Sequence, residues 1–391
     1  MLKEDGGWLN RNVLFIALSA FFADLGYQAI IAGFPIFLVI VLGAPVYIFG
    51  VVAALQYGIG SIFNYAGGVL SDRLGKKRVA IAGNSLIPLM SLSALFSSVL
   101  SAIGFYSVGW WARDFRSGAR RSMLADSTKK GDMSKAFGFL HMLDVGGGIV
   151  AVLVLLYLVG MHLPFRIIFL LTAIPLVVST LFLALVREVK ARKSDLKKAP
   201  SGPSDGKSAT YGVLMAAALY GFGYYNLGFP ILTIAKSSNS LQLGILSYAI
   251  FLGVSSIAGY LAGILGSKSR KAVSIAFFGY LLSAAGSFLL GASYLLGLGI
   301  IPMYLSIAAI GGAVGVIETF EPTIVSLANG SGGRGRWLGS LAASRSIGFF
   351  TGNLVMGLLY MVTPFYAYSY ASITALAAFA VILLFGRRFK G

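Results

Sequence analysis

Long apolar runs separated by short polar loops set the pattern of this chain. A helix needs roughly 20 apolar residues to cross a bilayer. Twelve runs meet that need, at about 12–41, 46–71, 79–98, 101–122, 135–159, 165–186, 211–234, 240–266, 272–293, 299–325, 337–361 and 365–386. The first is too long for a signal peptide and has no cleavage pattern. One longer polar stretch, "REVKARKSDLKKAPSGPSDGKSAT" at 187–210, is basic and rich in Ser, Pro and Gly, as a mobile linker is. The pattern predicts an all-α membrane protein of twelve transmembrane helices in two six-helix halves, 1–186 and 211–391, joined by a basic linker at 187–210.

Composition agrees. Hydrophobic residues make up 57% of 391 and charged residues 11%, against about 25% charged in a soluble domain. The mean hydropathy is +0.85. The 50 glycines suit helices packed closely in lipid. With no cysteine there is no disulfide, thiol chemistry or Cys metal site, and two histidines make a poor metal centre. The net charge of +18 raises the question of nucleic acid. Its placement answers it. If the N-terminus is cytoplasmic, the inner loops hold Arg73, Lys76, Lys77, Arg78, Lys129, Lys130, Lys135, Lys268, Arg270, Lys271, Arg334 and Arg336, and the outer side only Arg166 and Lys236. That asymmetry places both termini in the cytoplasm. The basic charge is topological, so lipid headgroups rather than nucleic acid are its partner.

The halves echo each other. "GYQAIIAGFPI" (Gly26–Ile36) in the first run matches "GYYNLGFPI" (Gly223–Ile231) in the seventh. "GKKRVAIAG" follows the second run and "KSRKAVSIAF" the eighth. Aligning Gly138 with Gly339 puts Asp144 opposite Arg345. Shared order and a central linker argue for a duplicated six-helix unit, an architecture of transporters with a site near the bilayer midplane.

Between the second and third runs lies "GGVLSDRLGKKR". Its Gly68, Asp72, Arg73, Gly75, Lys76, Lys77 and Arg78 closely resemble the loop signature of the major facilitator superfamily. The resemblance covers the whole chain and implies a multi-pass transporter of the cell inner or plasma membrane. It also implies that Asp72 helps hold an inner gate shut. The equivalent loop of the second half has Gly266 where the Asp would align, so such a latch is one-sided. "FFADLGYQAIIAGFPIFL", "RSGARRSMLADS", "AFGFLHMLD" and "IETFEPTIVSLA" are similar to a prokaryotic branch of permeases and efflux proteins of broad assignment. That branch typically has a Glu where Gln28 stands, and Thr-Pro in place of Ser117 and Gly118. Drug antiporters of the superfamily carry Gly-Pro on the fifth helix; here Ala151 and Val152 occupy that region.

Charges inside the membrane cost about 2.5–3.5 kcal/mol each on insertion scales. They fall on a few helices: Asp24; Arg113, Asp114 and Arg116; Asp144; Glu318 and Glu321; and Arg345. A rise of about 1.5 Å per residue places Asp24 about 18 Å above the inner end of its helix, and Arg113, Asp144, Glu318 and Arg345 at roughly 12–14 Å. These residues form a layer at or just inside the midplane. Asp24 is the candidate proton-carrying acid, against the plainer reading of a permanent ion pair. Arg113 is the candidate anion binder, and Glu318 faces the cavity if its helix matches the resembled branch. Arg116 is placed at a gate or as partner of Asp72, Glu321 at a gate near the inner end, and Asp144 and Arg345 as a structural pair across the halves. Tyr27, Gln28, Tyr224 and Asn226 suit a site that stacks and hydrogen-bonds an organic molecule. Pro35 and Pro230 are expected kinks.

The resulting expectation is a secondary transporter of a small organic solute, working by alternating access, with the proton as coupling ion and no other cofactor. Export ranks slightly above uptake, by resemblance. An uncoupled facilitator and a transport-dead receptor are the alternatives. An enzyme is not expected, since no nucleophile–base set, metal cluster or phosphate loop is present; "NGSGGRGR" lacks the Lys-Ser/Thr of a P-loop. The partners expected are a small-molecule substrate and membrane lipids, and the chain is expected as a monomer.

Overall fold

The computed structural model describes residues 9–128, 132–187, 204–265, 275–328 and 330–386. Every regular element among them is helical. In the first half these are α1 (Arg11–Ile36), extended by a π-helical turn (Phe37–Val41), α2 (Val46–Leu74), α3 (Lys76–Leu86), extended by a 3-10 stretch (Ile87–Leu92), α4 (Val99–Asp126), α5 (Met133–Gly160), α6 (Phe165–Leu171) and α7 (Ala173–Ala184). In the second half they are α8 (Ser204–Gly223), α9 (Gly228–Ser238), α10 (Leu241–Leu265), a π-helical turn (Ile275–Leu281) leading into α11 (Leu282–Leu295), α12 (Ile300–Ala328), α13 (Gly330–Val362) and α14 (Pro364–Gly386).

Nine of the described segments are long and apolar enough to cross a membrane. The third, fourth and seventh expected spans are helical but fall short of that measure, each for a local reason. Pro88 turns the third into a 3-10 helix after Leu86. Arg113, Asp114 and Arg116 sit in the middle of α4. The seventh is broken at residues 224–227, where one continuous helix was expected. Pro230 explains the break: it has no N–H for the carbonyl four residues back, and its ring crowds that carbonyl. Asn226 stabilises the restart, its Oδ1 accepting from the Gly228 N–H at 2.9 Å. Pro35, in the matching motif, stays inside α1, and the adjustment appears one turn later as the π-helical stretch.

Most of the basic linker expected at 187–210 lies outside the described residues. Its last residues are helical, because α8 begins at Ser204 rather than at 211.

The chain divides into two compact units. One holds Met1–Ala44 and Ile59–Asp195; the other holds Leu196–Gly391 together with Pro45–Gly58, the first half of α2. In the first unit α1 packs on α5 and α7, and α3 packs on α4. In the second, α8 packs on α13 and α14, α10 on α12, and α11 on α12 and α14.

The duplication read from sequence has a packing counterpart. The alignment of Gly138 with Gly339 also pairs Gly147 with Gly348. A Cβ on Gly147 would come within 2.3 Å of the Phe21 carbonyl oxygen of α1. A Cβ on Gly348 would come within 2.7 Å of the Gly221 Cα of α8. The same position therefore brings the fifth helix against the first and the eleventh against the seventh. Gly147→Ala is expected to cost about 1–3 kcal/mol, because backbone rather than a flexible side chain must move. A lowered thermal midpoint in detergent would show it; an unchanged midpoint would mean that the α1–α5 crossing can open freely.

Candidate functional site

Three helices of the first unit meet around a cluster of charge. Asp24 on α1 is 4% exposed. Its Oδ1 accepts from Gln28 Nε2, one turn on, at 3.1 Å, and its Oδ2 is buried with no partner. Arg113 on α4 lies over the ring of Tyr27 at 4.9 Å and the ring of Trp110 at 4.7 Å. It also approaches the Asp114 carboxylate at 3.6 Å and keeps 30% of its side chain exposed. Two aromatic faces thus hold one accessible guanidinium. Asp24 lies within electrostatic reach of Arg113, Arg120 and Asp144.

Deeper along α4, Arg116 is fully buried and donates to Asn84 Oδ1 on α3. The side chain of Asp72, its expected partner, lies outside the described residues. Arg120, one turn further on, donates to Asp144 Oδ2 of α5 at 3.3 Å. In the loop motif, Lys76 reaches Asp126 at the end of α4 at 2.5 Å. Arg73 and Arg78 are exposed and Lys77 half-buried, as topological charges would be.

The second unit is built differently. Glu321 on α12, expected near a gate, is fully buried. It accepts from the Tyr280 hydroxyl and from Nε and Nη2 of Arg345 on α13. Asp144 and Arg345, expected as partners of each other, each take a partner within their own unit. Sequence spacing could pair equivalent positions but could not show that an oppositely charged neighbour sits closer by. Glu318 is exposed, one turn before Glu321 and within electrostatic reach of Arg345.

At the break between α8 and α9, Asn226 is held on three sides. Its N–H donates to Asn353 Oδ1 at 2.9 Å, its Nδ2 to Gln56 Oε1 at 3.3 Å, and its Oδ1 caps α9. Tyr224 stacks on Phe349 at 4.5 Å and 29°. A small cleft here is lined by Tyr220, Tyr224, Tyr225, Phe251 and Ser283. Asn84, Tyr280, Gln56 and Asn353 were not singled out from sequence, and Arg120 only as a base on the same helical face as Arg113 and Arg116. Arg120 also stands opposite Glu321 in the internal alignment, which is the signal for its role in an ion pair.

The family model described as Major Facilitator Superfamily matches residues 16–318. No curated protein matches the sequence. Among solved structures, a POT family transporter in complex with 5-aminolevulinic acid shares the fold at a TM-score of 0.78, with 14% identity over 100% of this chain and 99% of that one. A D-xylose–proton symporter does so at 0.75, with 15% identity over 96% and 97%. The nucleoside transporter NupG does so at 0.70, with 14% identity over 97% and 99%.

Proposed function

From a chain that belongs to the Major Facilitator Superfamily, we propose a proton-coupled transporter of a small organic anion, working by alternating access in a cell membrane with both termini on the cytoplasmic side. The family match and the fold support a multi-pass membrane transporter of some solute. The observation that carries the finer reading is the balance of the first unit's cluster. Three arginines, Arg113, Arg116 and Arg120, face three aspartates, Asp24, Asp114 and Asp144.

That cluster is neutral as it stands, and Asp24 offers a bare, buried oxygen to a proton. A proton there leaves one positive charge in excess, with Arg113 the accessible cation. An anion then restores neutrality. Proton and anion each strengthen the binding of the other, because linkage is reciprocal. Co-binding of this sign favours symport, and hence uptake down an inward proton gradient. This departs from the export suggested by resemblance. Arg113 is suited to a carboxylate or phosphate, whose two oxygens match its planar fork.

The test is a thermal-shift screen of organic anions, cations and neutral compounds on the purified protein. Stabilisation by anions in the wild type, lost in Arg113→Gln and weakened in Arg113→Lys, is the expected result. Anion stabilisation that survives Arg113→Gln would remove Arg113 from the site.

A further inference from the structure

The charges of the second unit do not balance. Its described membrane-crossing segments carry Glu318, Glu321 and Arg345 and no other charged residue. Glu321 uses one oxygen for the Tyr280 hydroxyl and the other for Nε and Nη2 of Arg345. That pair closes on itself as a fixed tie. Glu318 remains as one negative charge in excess. It is exposed, and among the described residues it makes no hydrogen bond or ion pair. A carboxylate at membrane depth is costly unless a cation meets it.

The surroundings of Glu318 are apolar and aromatic. Ile310, Val314 and Glu318 follow one another at intervals of four on α12, so they share a face. Ile310 and Val314 line the small cleft beside the α8–α9 break, which puts Glu318 one turn beyond its wall. Tyr220 and Tyr224 of α8 line the same cleft and lie within electrostatic reach of Glu318. Their rings are 5.8 Å apart at 63°. The Tyr220 hydroxyl is engaged with Ser283 at 3.1 Å. The start of α9, the other feature here that could hold an ion, is already satisfied. Asn226 Oδ1 accepts from the Gly228 N–H, the Asn226 carbonyl accepts from the Phe229 N–H, and Pro230 has no N–H to offer. The break therefore has no welcome for an anion, and the unpaired carboxylate at the cleft asks for a cation.

We propose that the second unit binds a small organic ammonium group, its charge on Glu318 and its short apolar body against the Tyr220, Tyr224, Ile310 and Val314 side of the cleft. Aromatic faces carry partial negative charge and reinforce the carboxylate for such a cation. A metal ion is a poorer fit, because it needs several oxygen ligands and Glu318 supplies the one carboxylate of these segments that is not already paired. The cleft is small, which limits the body to a few carbons. Neither Asp24 nor Arg113 takes part, so the inference stands whether or not the first unit binds an anion.

Thermal unfolding of the purified full chain in mild detergent tests this with n-propylammonium chloride, against 1-propanol and sodium chloride at the same concentrations. The ammonium salt is expected to raise the midpoint above both controls in a saturable way. Glu318→Gln should weaken its apparent affinity about tenfold or more, because a charge-assisted bond is lost. Glu318 is exposed, so the amide is expected to fold as the wild type does. A second variant, Tyr224→Leu, keeps the carboxylate and removes a ring from the half-buried wall; it should weaken the ammonium salt as well. Equal stabilisation by 1-propanol would show a merely apolar cleft and overturn the proposal. So would a propylammonium effect that survives Glu318→Gln, or a wild type that propylammonium fails to stabilise.

Discussion

Arg345→Ala is expected to destabilise the protein by about 3–5 kcal/mol, the cost of leaving a buried carboxylate without its countercharge. Glu321 is fully buried, and Arg345 supplies two of its three hydrogen bonds. After truncation only the Tyr280 hydroxyl remains. Against a typical total stability of about 5–15 kcal/mol, that loss is a large share of the whole. Yield and thermal midpoint in mild detergent report it. The companion variant, Glu321→Gln with Arg345→Met, removes both charges and keeps an acceptor for Tyr280. It is expected to recover most of the loss, since replacing a buried pair by uncharged groups is often near neutral. A single variant as stable as the wild type would show that Glu321 is already uncharged, and the pair would lose its role as a tie.

Asp24→Asn is expected to abolish the response of transport to a pH gradient while leaving the fold intact. The amide keeps the shape and the hydrogen bond to Gln28 but has no proton to exchange. With one proton per anion, a gradient of one pH unit supports about tenfold accumulation in the wild type; the variant should reach only equal concentrations on the two sides. Anion binding should persist and become independent of pH, because asparagine mimics the protonated acid. Retained accumulation in Asp24→Asn would assign coupling to another residue.

How far the sequence speaks can be judged from particular residues. The apolar runs were legible because lipid leaves the backbone few options, and helices satisfy their own hydrogen bonds. The resemblance of the halves was legible because the Gly-Phe-Pro-Ile motifs and the Gly138–Gly339 register recur in the same order. Buried charge in α1, α4, α5, α12 and α13 stood out against apolar surroundings. Partners were not legible. Asp144 finds Arg120 and Glu321 finds Arg345 because helix rotation and tilt bring them together, and neither quantity is written in spacing alone. The break at residues 224–227 was encoded by Pro230 and Asn226, yet the same Pro in α1 is absorbed by a π-helical turn. The difference lies in Asn226, whose Oδ1 accepts from the first N–H of a new helix; Ile31, five residues before Ile36 in the first copy, has no polar side chain to do so.

The most direct test of the account uses purified protein reconstituted into liposomes with an imposed pH gradient. A panel of organic anions, cations and neutral compounds is presented in turn, and proton flux is followed with an enclosed pH-sensitive dye. The account predicts proton movement when an organic anion is added, in the same direction as the anion, and none with cations or neutral compounds. Anion entry with no accompanying proton flux would contradict it and leave an uncoupled facilitator.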